Sequence, residues 1–368
     1  MNRGIFVEAH ISDLHFGVMN PSIQYKILSE QFLNKIERLP LDIVSVNGDI
    51  FDHKFMSNSD TVMYAMKFID DLVKICKANR TTLILIHGTA FHDANQLKLF
   101  YNYTTDPDID IRIVESVRFE NVKGKRILCI PEMYNMGEAY YRGFLDNSGI
   151  YDSVYMHGTF ENSIYGKNKE DLGSKREPVF SMDSFKNCYG PVISGHVHVC
   201  QCLENHFYYT GSPYRWCYGE EQPKGFLILL HNLDTRRYCI HFEEITSFRY
   251  DTINLDDILG KDPKIVIDYI KNLKAKGIDN IRVEFTKEND NLAIIKDFYK
   301  SDNKVIIKYD AKARKEKEQA ELLKKKYDNY NFILDKNLSP YEILARYVNQ
   351  NLGYAYITSN DLIELLKE

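Results

Sequence analysis

The stretch IFVEAHISDLH, which spans residues 5–15, opens with a short apolar run and closes on an aspartate and a histidine. Its first part, residues 5–9, has the length and the β-branched and aromatic content of a strand. Asp13 and His15 follow where that strand ends. Ligands of α/β sheets sit beyond the carboxyl ends of the strands, so this stretch predicts a central strand and one side of a binding site.

The same combination recurs through about the first 250 residues. Short runs rich in Val, Ile and Tyr predict further strands, while residues 24–39 and 60–78 carry apolar side chains at the spacing of helices. Alternation of strands and helices predicts an α/β layered domain. The later predicted strands are 43–46, 82–86, 127–130, 153–156, 192–194, 207–210 and 226–230.

Aspartates and histidines follow these predicted strands in five short motifs. Aspartate oxygens and histidine nitrogens ligate hard and borderline divalent ions, and one carboxylate can bridge two of them. A lone histidine is more often a hydrogen-bonded structural residue, but the motifs together predict a two-metal site at one sheet edge. They are Asp13-Leu14-His15, Gly48-Asp49-Ile50-Phe51-Asp52, His92-Asp93, His157-Gly158 and Gly195-His196-Val197-His198.

In this order the motifs D-x-H, G-D-x-x-D, H-D, H-G and G-H-x-H resemble those of the calcineurin-like metallophosphoesterases. Three further segments, IPE at 130–132, YTGSPYR at 209–215 and GE at 219–220, narrow the resemblance. With them the chain resembles the SbcD-type DNA repair nuclease subunits and their bacteriophage recombination-endonuclease relatives. The motifs that carry this resemblance lie within about residues 1–230. It implies a layered αββα metallophosphoesterase sandwich with a small α/β capping domain and a C-terminal helical tail.

The resemblance also implies a role for each motif residue. Two divalent metal ions, Mn²⁺ or alternatively Mg²⁺, would lie on either side of a bridging carboxylate. His92 would approach the leaving-group oxygen as proton donor, oriented by Asp93, and Asp52 would lie near the metals with His53 as its rival. The implied ligands are Asp13, His15 and His198 for the first ion, Asp49 as the bridge, and His157 and His196 for the second ion.

One residue departs from the family pattern. The usual third motif is G-N-H-D, whose Asn ligates the second metal, whereas this chain reads HGTAFHD at 87–93 with Phe91 at the Asn position. A phenyl ring cannot ligate a metal. We expect a rearranged loop in which Thr89, His87 or a water fills the position. The alternative is a second site that is weakened or partly disabled.

The rest of the chain predicts a second unit and a tail. After residue 262 two helical and two strand patterns alternate, and a charged run precedes two helix-start signals at Ser339 and Thr358. The predicted boundaries are 1–250 for the metallophosphoesterase (nuclease) domain, 251–311 for the capping domain, and 312–368 for a charged linker and a helix–loop–helix partner-binding tail.

The composition of the chain says more about its cellular compartment than about its substrate. The net charge of −5 neither supports nor excludes DNA, because a nuclease needs only a local basic patch. No stretch reaches the roughly 18 apolar residues of a membrane span, so no membrane partner is expected. Seven cysteines without a framework spacing predict reduced thiols in the cytoplasm, the host cytoplasm for a bacteriophage protein. Cys200 and Cys202 leave a zinc site open beside the alternative that they mark one face of a strand.

The implied function is manganese-dependent exonuclease and endonuclease action on DNA ends in recombination and repair, with an SbcC-like coiled-coil SMC-type ATPase bound to the tail. Residues 60–78 are expected to pack on the sheet or in a homodimer interface. Tyr208, Tyr209, Tyr214 and Trp216 are expected to pack in the core or to stack on unpaired bases. Two alternatives stay open: a phosphodiesterase or phosphatase for a small molecule, and a non-catalytic assembly subunit with a degraded metal site.

Overall fold

Two six-stranded sheets, built from strands between residues 5 and 244, organise the chain in a computed structural model. The structure describes residues 4–133, 136, 138–147, 149–164, 179–204, 206–255, 262–285, 291–309, 315, 319, 338–352 and 358–365. The described residues form a mixed α/β structure that is compatible with an α/β sandwich, as the alternating pattern predicts.

The first sheet contains β1 (Ile5–Ile11), β2 (Ile43–Asn47), β3 (Thr82–Ile86), β4 (Ile111–Val114), β13 (Gly225–Asn232) and β14 (Arg237–Glu244). Their order across the sheet is β14-β13-β1-β2-β3-β4. Strands β1 to β4 run parallel, while β13 pairs antiparallel with β1 and β14. The carboxyl ends of β1, β2 and β3 therefore lie side by side.

The second sheet contains β5 (Arg118–Val122), β6 (Lys125–Ile130), β7 (Ser153–His157), β10 (Val192–Gly195), β11 (Gln201–Leu203) and β12 (Phe207–Tyr209), in the order β11-β12-β10-β7-β6-β5. Strands β6, β7, β10 and β12 are parallel. Two short strands, β8 (Thr159–Phe160) and β9 (Val179–Phe180), pair separately. All eight strands that the sequence predicts in the first 250 residues, across both sheets, are present.

One hydrophobic cluster draws buried side chains from both sheets. It includes Ile43 and Ile84 of the first sheet and Ile127, Tyr155 and Ile193 of the second. Strands β2 and β3 are buried at every position, which is why they read as continuous apolar runs rather than as alternating patterns.

Helices contribute to separate clusters. The described helices of the first 252 residues are α1 (Pro21–Leu28), continued by a π-helical turn (Ser29–Leu33) and α2 (Asn34–Ile36), then α3 (Asp60–Asn79) and α4 (Glu138–Asn147). Two 3₁₀ segments span Gln96–Thr105 and Met182–Phe185. Ser59 caps α3 by accepting a hydrogen bond from the Val62 amide at 3.3 Å. Phe68 and Leu72 of α3 are buried in a cluster with β-strand residues such as Val44, as the packing alternative predicted. None of the described helices is long and apolar enough to cross a membrane.

The chain divides into two compact units, residues 1–252 with 270–282 and residues 253–269 with 283–368. Strands β15 (Tyr250–Asn254), β16 (Asn280–Phe285) and β17 (Val305–Tyr309) form a three-stranded sheet in that order. Among the described residues of this part of the chain, the helices are α5 (Pro263–Ala275) and α6 (Asn291–Phe298). These elements agree with the predicted alternation, while the domain boundaries themselves stay a prediction.

The described part of the tail holds α7 (Pro340–Leu352) and α8 (Ser359–Leu365). Both begin with the reciprocal hydrogen bonds of a capping box. The Ser339 amide donates to Glu342 Oε2 at 2.7 Å, and the Glu342 amide donates to Ser339 Oγ at 3.3 Å. Thr358 and Asp361 repeat the pattern. Apart from residues 315 and 319, the predicted charged linker lies outside the described residues.

Candidate metal centre

The predicted ligands lie at adjoining strand ends. Asp13 and His15 follow β1, Asp49 follows β2, His157 ends β7, and His196 with His198 follows β10. Backbone hydrogen bonds join these loops, since the Asp13 amide donates to the Gly48 carbonyl and the His15 amide to the Asp49 carbonyl, both at 3.0 Å. Parallel strand order therefore gathers residues that are distant in the sequence.

The loops that carry these residues hold an unusual backbone conformation. Asp13, His15, Asp49 and His196 have φ angles of 53°, 43°, 54° and 91°. Each such residue costs on the order of 1–3 kcal/mol, and such strain is typical of functional sites. A Cβ on Gly48, whose φ is 85°, would lie 2.3 Å from Nδ1 of His157. Only glycine therefore allows the loop after β2 to approach the His157 ring this closely.

The first group contains Asp13, His15 and His198, whose candidate ligand atoms lie within 4.8 Å of one another. Nε2 of His15 is 3.2 Å from Nε2 of His198, and the latter is 4.0 Å from Asp13 Oδ1. The His196 amide donates to Asp13 Oδ1 at 3.0 Å and so fixes that carboxylate. The three predicted ligands of the first ion are brought together.

Asp49 lies between two groups. Its Oδ2 is 3.6 Å from Nε2 of His15 and 3.3 Å from Nε2 of His157. The same carboxylate belongs to one possible ligand group with His15 and His92 and to another with Asp13 and His157. This is the position that a bridging ligand requires.

Two of the histidines are held by their other ring nitrogen. Nδ1–H of His157 donates to the Asn47 carbonyl at 2.8 Å, and Nδ1–H of His198 donates to Glu220 Oε1 at 3.1 Å. Such bonds fix the tautomer and leave Nε2 available as a ligand. Glu220 belongs to the GE pair at 219–220, but its contact with His198 was not predicted.

The second group includes a residue that the sequence analysis left without a role. Glu132, His157 and His196 form a possible ligand group. Glu132 Oε2 lies 3.5 Å from Nε2 of His157 and 3.3 Å from Nδ1 of His196. The predicted ligands His157 and His196 are thus together, with a buried carboxylate between them.

The 87–93 loop places Thr89, not Phe91, at the ligand groups. Phe91 points outward and is 72% exposed, whereas Thr89 is buried. The Thr89 amide donates to Asp49 Oδ1 at 2.6 Å, and its hydroxyl lies 2.9 Å from Glu132 Oε2. His87 bonds two backbone carbonyls, those of Gly88 and Ala94. Of the two side chains proposed to fill the Asn position, Thr89 is the one in the centre.

The structure corrects the role predicted for Asp93. Its buried carboxylate accepts hydrogen bonds at 2.8–3.1 Å from four backbone amides, those of Asp49, Ile50, Phe51 and Gly88. Asp93 therefore fixes the loops after β2 and β3 and does not orient His92. The ring of His92 instead donates from Nδ1 to the Asp52 carbonyl.

His92 and Asp52 border the first group. The rings of His92 and His15 are 4.7 Å apart, and Asp52 Oδ1 lies 3.6 Å from Nδ1 of His15. The contact with His15 is the main cause that lowers the pKa of Asp52 to about 2. His53 bonds the other Asp52 oxygen at 2.9 Å and does not belong to a possible ligand group among the described residues.

The electrostatics of the centre favour a cation. Burial lowers the pKa of His157, but the charges of Asp49, Asp13 and Glu132 outweigh it and raise that pKa well above 6.5. The raised pKa reports a negative potential at Nε2, and a divalent ion would compete with the proton there. Oxygen and imidazole donors in this number fit divalent ions such as Mn²⁺ or Mg²⁺.

Trp216 and the tyrosines differ in their surroundings. Tyr209 and Tyr214 are fully buried, in line with the core alternative. Trp216 instead lies beside the first group, with ring centroids 5.2 Å from His15 and 4.7 Å from His198. Cys200 and Cys202 do not belong to any of the possible ligand groups among the described residues.

No family model matches the sequence. A solved chain superposes with a TM-score of 0.42 at 11% identity, over 65% of this chain and 100% of its own length. "Putative phosphoesterase 078R" of Invertebrate iridescent virus 3 is 25% identical over 291 residues, covering 74% of this chain and 73% of its own. "Putative phosphoesterase 244L" of Invertebrate iridescent virus 6 is 24% identical over 290 residues, covering 75% and 94%. These distant relatives support a phosphoesterase family and the hydrolysis of phosphoester bonds.

Proposed function

We propose that this chain is a two-metal phosphodiesterase that cleaves DNA at its ends in recombination and repair. One observation carries the proposal: the Asp49 carboxylate lies between two groups of candidate ligands. Asp13, His15 and His198 would hold the first ion, and His157 and His196 the second. When bound, the ions would neutralise charge on the phosphoryl oxygens and activate water.

His92 is the residue we propose to act on the leaving group. Its Nδ1–H is held by the Asp52 carbonyl, which leaves Nε2 to deliver a proton to the departing sugar oxygen. Asp52 would support the site by fixing the ring orientation of His15, whose Nδ1 lies 3.6 Å from Asp52 Oδ1. The fold that we propose is the αββα sandwich of the metallophosphoesterases.

Two features favour DNA over a small substrate. Trp216 and the exposed Phe91 place aromatic rings beside the ligand groups, where they can stack on unpaired bases. The chain also continues well beyond the sheets, through a proposed capping domain into α7 and α8, which a small phosphoester does not require.

The proposed partners are a second copy and a coiled-coil ATPase of the SMC type. Met63 of α3 is an apolar side chain that is 54% exposed, which suits a homodimer contact. Tyr341 and Leu344 of α7 are exposed apolar residues at helical spacing, which suits the grip on a coiled coil. We place this work in the cytoplasm, the host cytoplasm for a bacteriophage protein.

The test is cleavage of end-labelled single-stranded and duplex DNA by the purified chain in Mn²⁺. Changing even a group that only supports a metal ligand costs roughly 10–100-fold in activity, so Asp49→Asn is expected to lower kcat/KM by at least about 100-fold. Asp108→Asn, on an exposed loop, is the matched control.

The outcomes separate the alternatives. DNA cleavage that depends on Asp49 supports the nuclease. Hydrolysis of a chromogenic phosphodiester without DNA cleavage supports a small-molecule phosphodiesterase. Absence of both activities, with no bound Mn²⁺, overturns the enzymatic proposal in favour of an assembly subunit.

A further inference from the structure

Glu132 lies in the second ligand group of a chain that carries Phe91 where the resemblance implies an amide ligand. We propose that Glu132 is a ligand of the second metal ion, together with Asp49, His157 and His196, and that Thr89 positions its carboxylate. The inference rests on the proposed two-metal site and names the donor set of its second half.

The geometry places one Glu132 oxygen at the centre of the second group. Oε2 lies 3.5 Å from Nε2 of His157 and 3.3 Å from Nδ1 of His196. Candidate donor atoms of these three residues lie within 4.8 Å of one another. Donor atoms of one metal ion stand at such separations, because each lies about 2.0–2.2 Å from the ion.

The backbone brings Glu132 there by the same rule as the other ligands. It follows β6, which is the parallel neighbour of β7, and His157 ends β7. The Glu132 amide donates to the His87 carbonyl at 3.3 Å, which ties it to the loop after β3. Glu132 is therefore one more strand-end residue at the shared edge.

Burial supports a ligand role for this carboxylate. Its side chain is 4% exposed. A buried charge is retained only where a cation or several hydrogen bonds compensate it. The neighbours of Oε2 are the Thr89 hydroxyl and two imidazoles, whose facing nitrogens are themselves suited to a metal.

Thr89 acts as a positioning residue between the two carboxylates. Its hydroxyl lies 2.9 Å from Glu132 Oε2 and 3.2 Å from Asp49 Oδ2, and its amide donates to Asp49 Oδ1 at 2.6 Å. The hydroxyl has a single proton to share between two acceptors, so it orders them without neutralising them.

The substitution changes the charge of the site. An asparagine ligand is neutral, whereas Glu132 adds a negative charge beside Asp49. The affinity of oxygen-rich sites rises with the number of charged ligands. We expect the second ion to be held more tightly than a neutral amide would hold it, so Phe91 marks an exchanged ligand and not a degraded site.

The experiment measures Mn²⁺ binding by the full-length chain, using calorimetric titration and electron paramagnetic resonance. The unchanged chain is expected to bind two ions and to show the spectrum of a spin-coupled pair. Glu132→Ala should bind the second ion at least about 100-fold more weakly and lose the coupled spectrum. Glu132→Gln, which supplies a neutral amide, should keep the pair with about 10-fold weaker second-site affinity.

Matched variants control for indirect effects. Glu37→Ala and Glu37→Gln alter an exposed glutamate and should leave both affinities unchanged. Thr89→Val should weaken the second ion, and Thr89→Ser should restore it, because serine keeps the hydroxyl. Circular dichroism and thermal unfolding confirm that each variant is folded.

The outcomes also separate this inference from the proposed function. Two coupled ions with unchanged affinity in both Glu132 variants would overturn the Glu132 role and leave the two-metal site intact. A wild-type chain that binds no Mn²⁺ would overturn both. If Glu132→Ala does not fold, the isosteric Glu132→Gln decides: the expected loss of affinity supports the ligand role, and unchanged affinity overturns it.

Discussion

Strand β1 and the loop that follows it each supply a carboxylate and a histidine, and the two pairs enter different regions of the molecule. Glu8 and His10 lie within the strand and join an interior network with Lys125 and Tyr155 of the second sheet. Beyond the strand, Asp13 enters the metal centre, which comprises the ligand groups described above. The residue types are the same, and both regions are buried.

The interior network balances its own charge. Lys125 forms an ion pair with Glu8, and the Tyr155 hydroxyl donates to the same carboxylate. His10 lies 3.3 Å from Glu8 Oε2 and bonds Ser45 at 2.6 Å. One carboxylate thus meets one ammonium group and two further polar partners. The network needs nothing from outside the protein.

In the metal centre, by contrast, the charges of the carboxylates are not balanced by a neighbouring ammonium group. Asp13, Asp49 and Glu132 are gathered around histidines, and together they raise the pKa of His157 well above its usual 6.5 despite burial. The difference between the two regions is therefore net charge and not residue type. A buried group with excess carboxylate indicates a bound cation, whereas a balanced group indicates a structural link.

Lys125→Met gives the largest expected effect and tests whether the interior network is structural. The change leaves Glu8 buried without its cation, which costs roughly 3–5 kcal/mol of unfolding free energy. Urea unfolding of the metal-free protein measures this loss. The number of Mn²⁺ ions bound by the folded variant should stay unchanged, because Lys125 does not belong to the metal centre.

Lys123→Met is the matched control for that change. Lys123 pairs with Asp42 at 2.9 Å, but its side chain is 49% exposed. Exposed pairs contribute about 0–1 kcal/mol. Equal losses for Lys123→Met and Lys125→Met would contradict the distinction, as would loss of Mn²⁺ binding in folded Lys125→Met.

Acid should weaken the interior network through Glu8. Burial raises the pKa of Glu8, but Lys125 and His10 outweigh it and lower that pKa from 4.5 to about 2. Its contribution, about 3 kcal/mol, is fully present above pH 4.5 and is lost as pH falls towards 2. Unfolding free energies of the metal-free protein between pH 6 and pH 2 measure the loss.

The double variant Glu8→Gln, Lys125→Met isolates this contribution. It keeps every carboxylate of the metal centre, so their titration is common to both proteins. The wild type should lose about 3 kcal/mol more than the double variant between pH 4.5 and pH 2. Parallel curves would show that Glu8 does not titrate as its contacts indicate.

Much of this arrangement was predictable because it depends on local sequence. Continuous apolar runs identify β2 and β3, and ligands placed just after strands must meet at one edge. Strand β14 was not predicted, although Tyr238, Ile240 and Phe242 alternate with exposed residues and are partly buried against the core. This strand forms because it pairs with β13, and a local sequence pattern does not show that pairing.

The errors at the site have the same origin. Asp93 stands next to His92 in sequence, but residues 89–94 form a helical turn, where adjacent side chains do not face each other. Glu132 follows a strand like the candidate ligands, but it has no second candidate ligand beside it in the sequence, as Asp13 has His15 and His196 has His198. Its role depends on Thr89 and His196, which lie 43 and 64 positions away in the sequence.

Glu220→Gln gives the smallest expected effect and tests how far the metal centre extends. Glu220 accepts from Nδ1 of His198 at 3.1 Å, while Lys224 lies 3.3 Å from the same oxygen and the Trp216 amide donates to the other at 3.2 Å. Glutamine can still accept from His198 through its carbonyl oxygen, but it removes the charge that makes His198 a stronger metal ligand and places an NH2 group opposite the Trp216 amide. Changes at such supporting groups cost about 10–100-fold in affinity, and the conservative replacement should give the lower value. Calorimetric titration should show the loss at the first Mn²⁺ ion alone, whereas an equal loss at both ions would mean that Glu220 acts on the charge of the whole centre and not through His198.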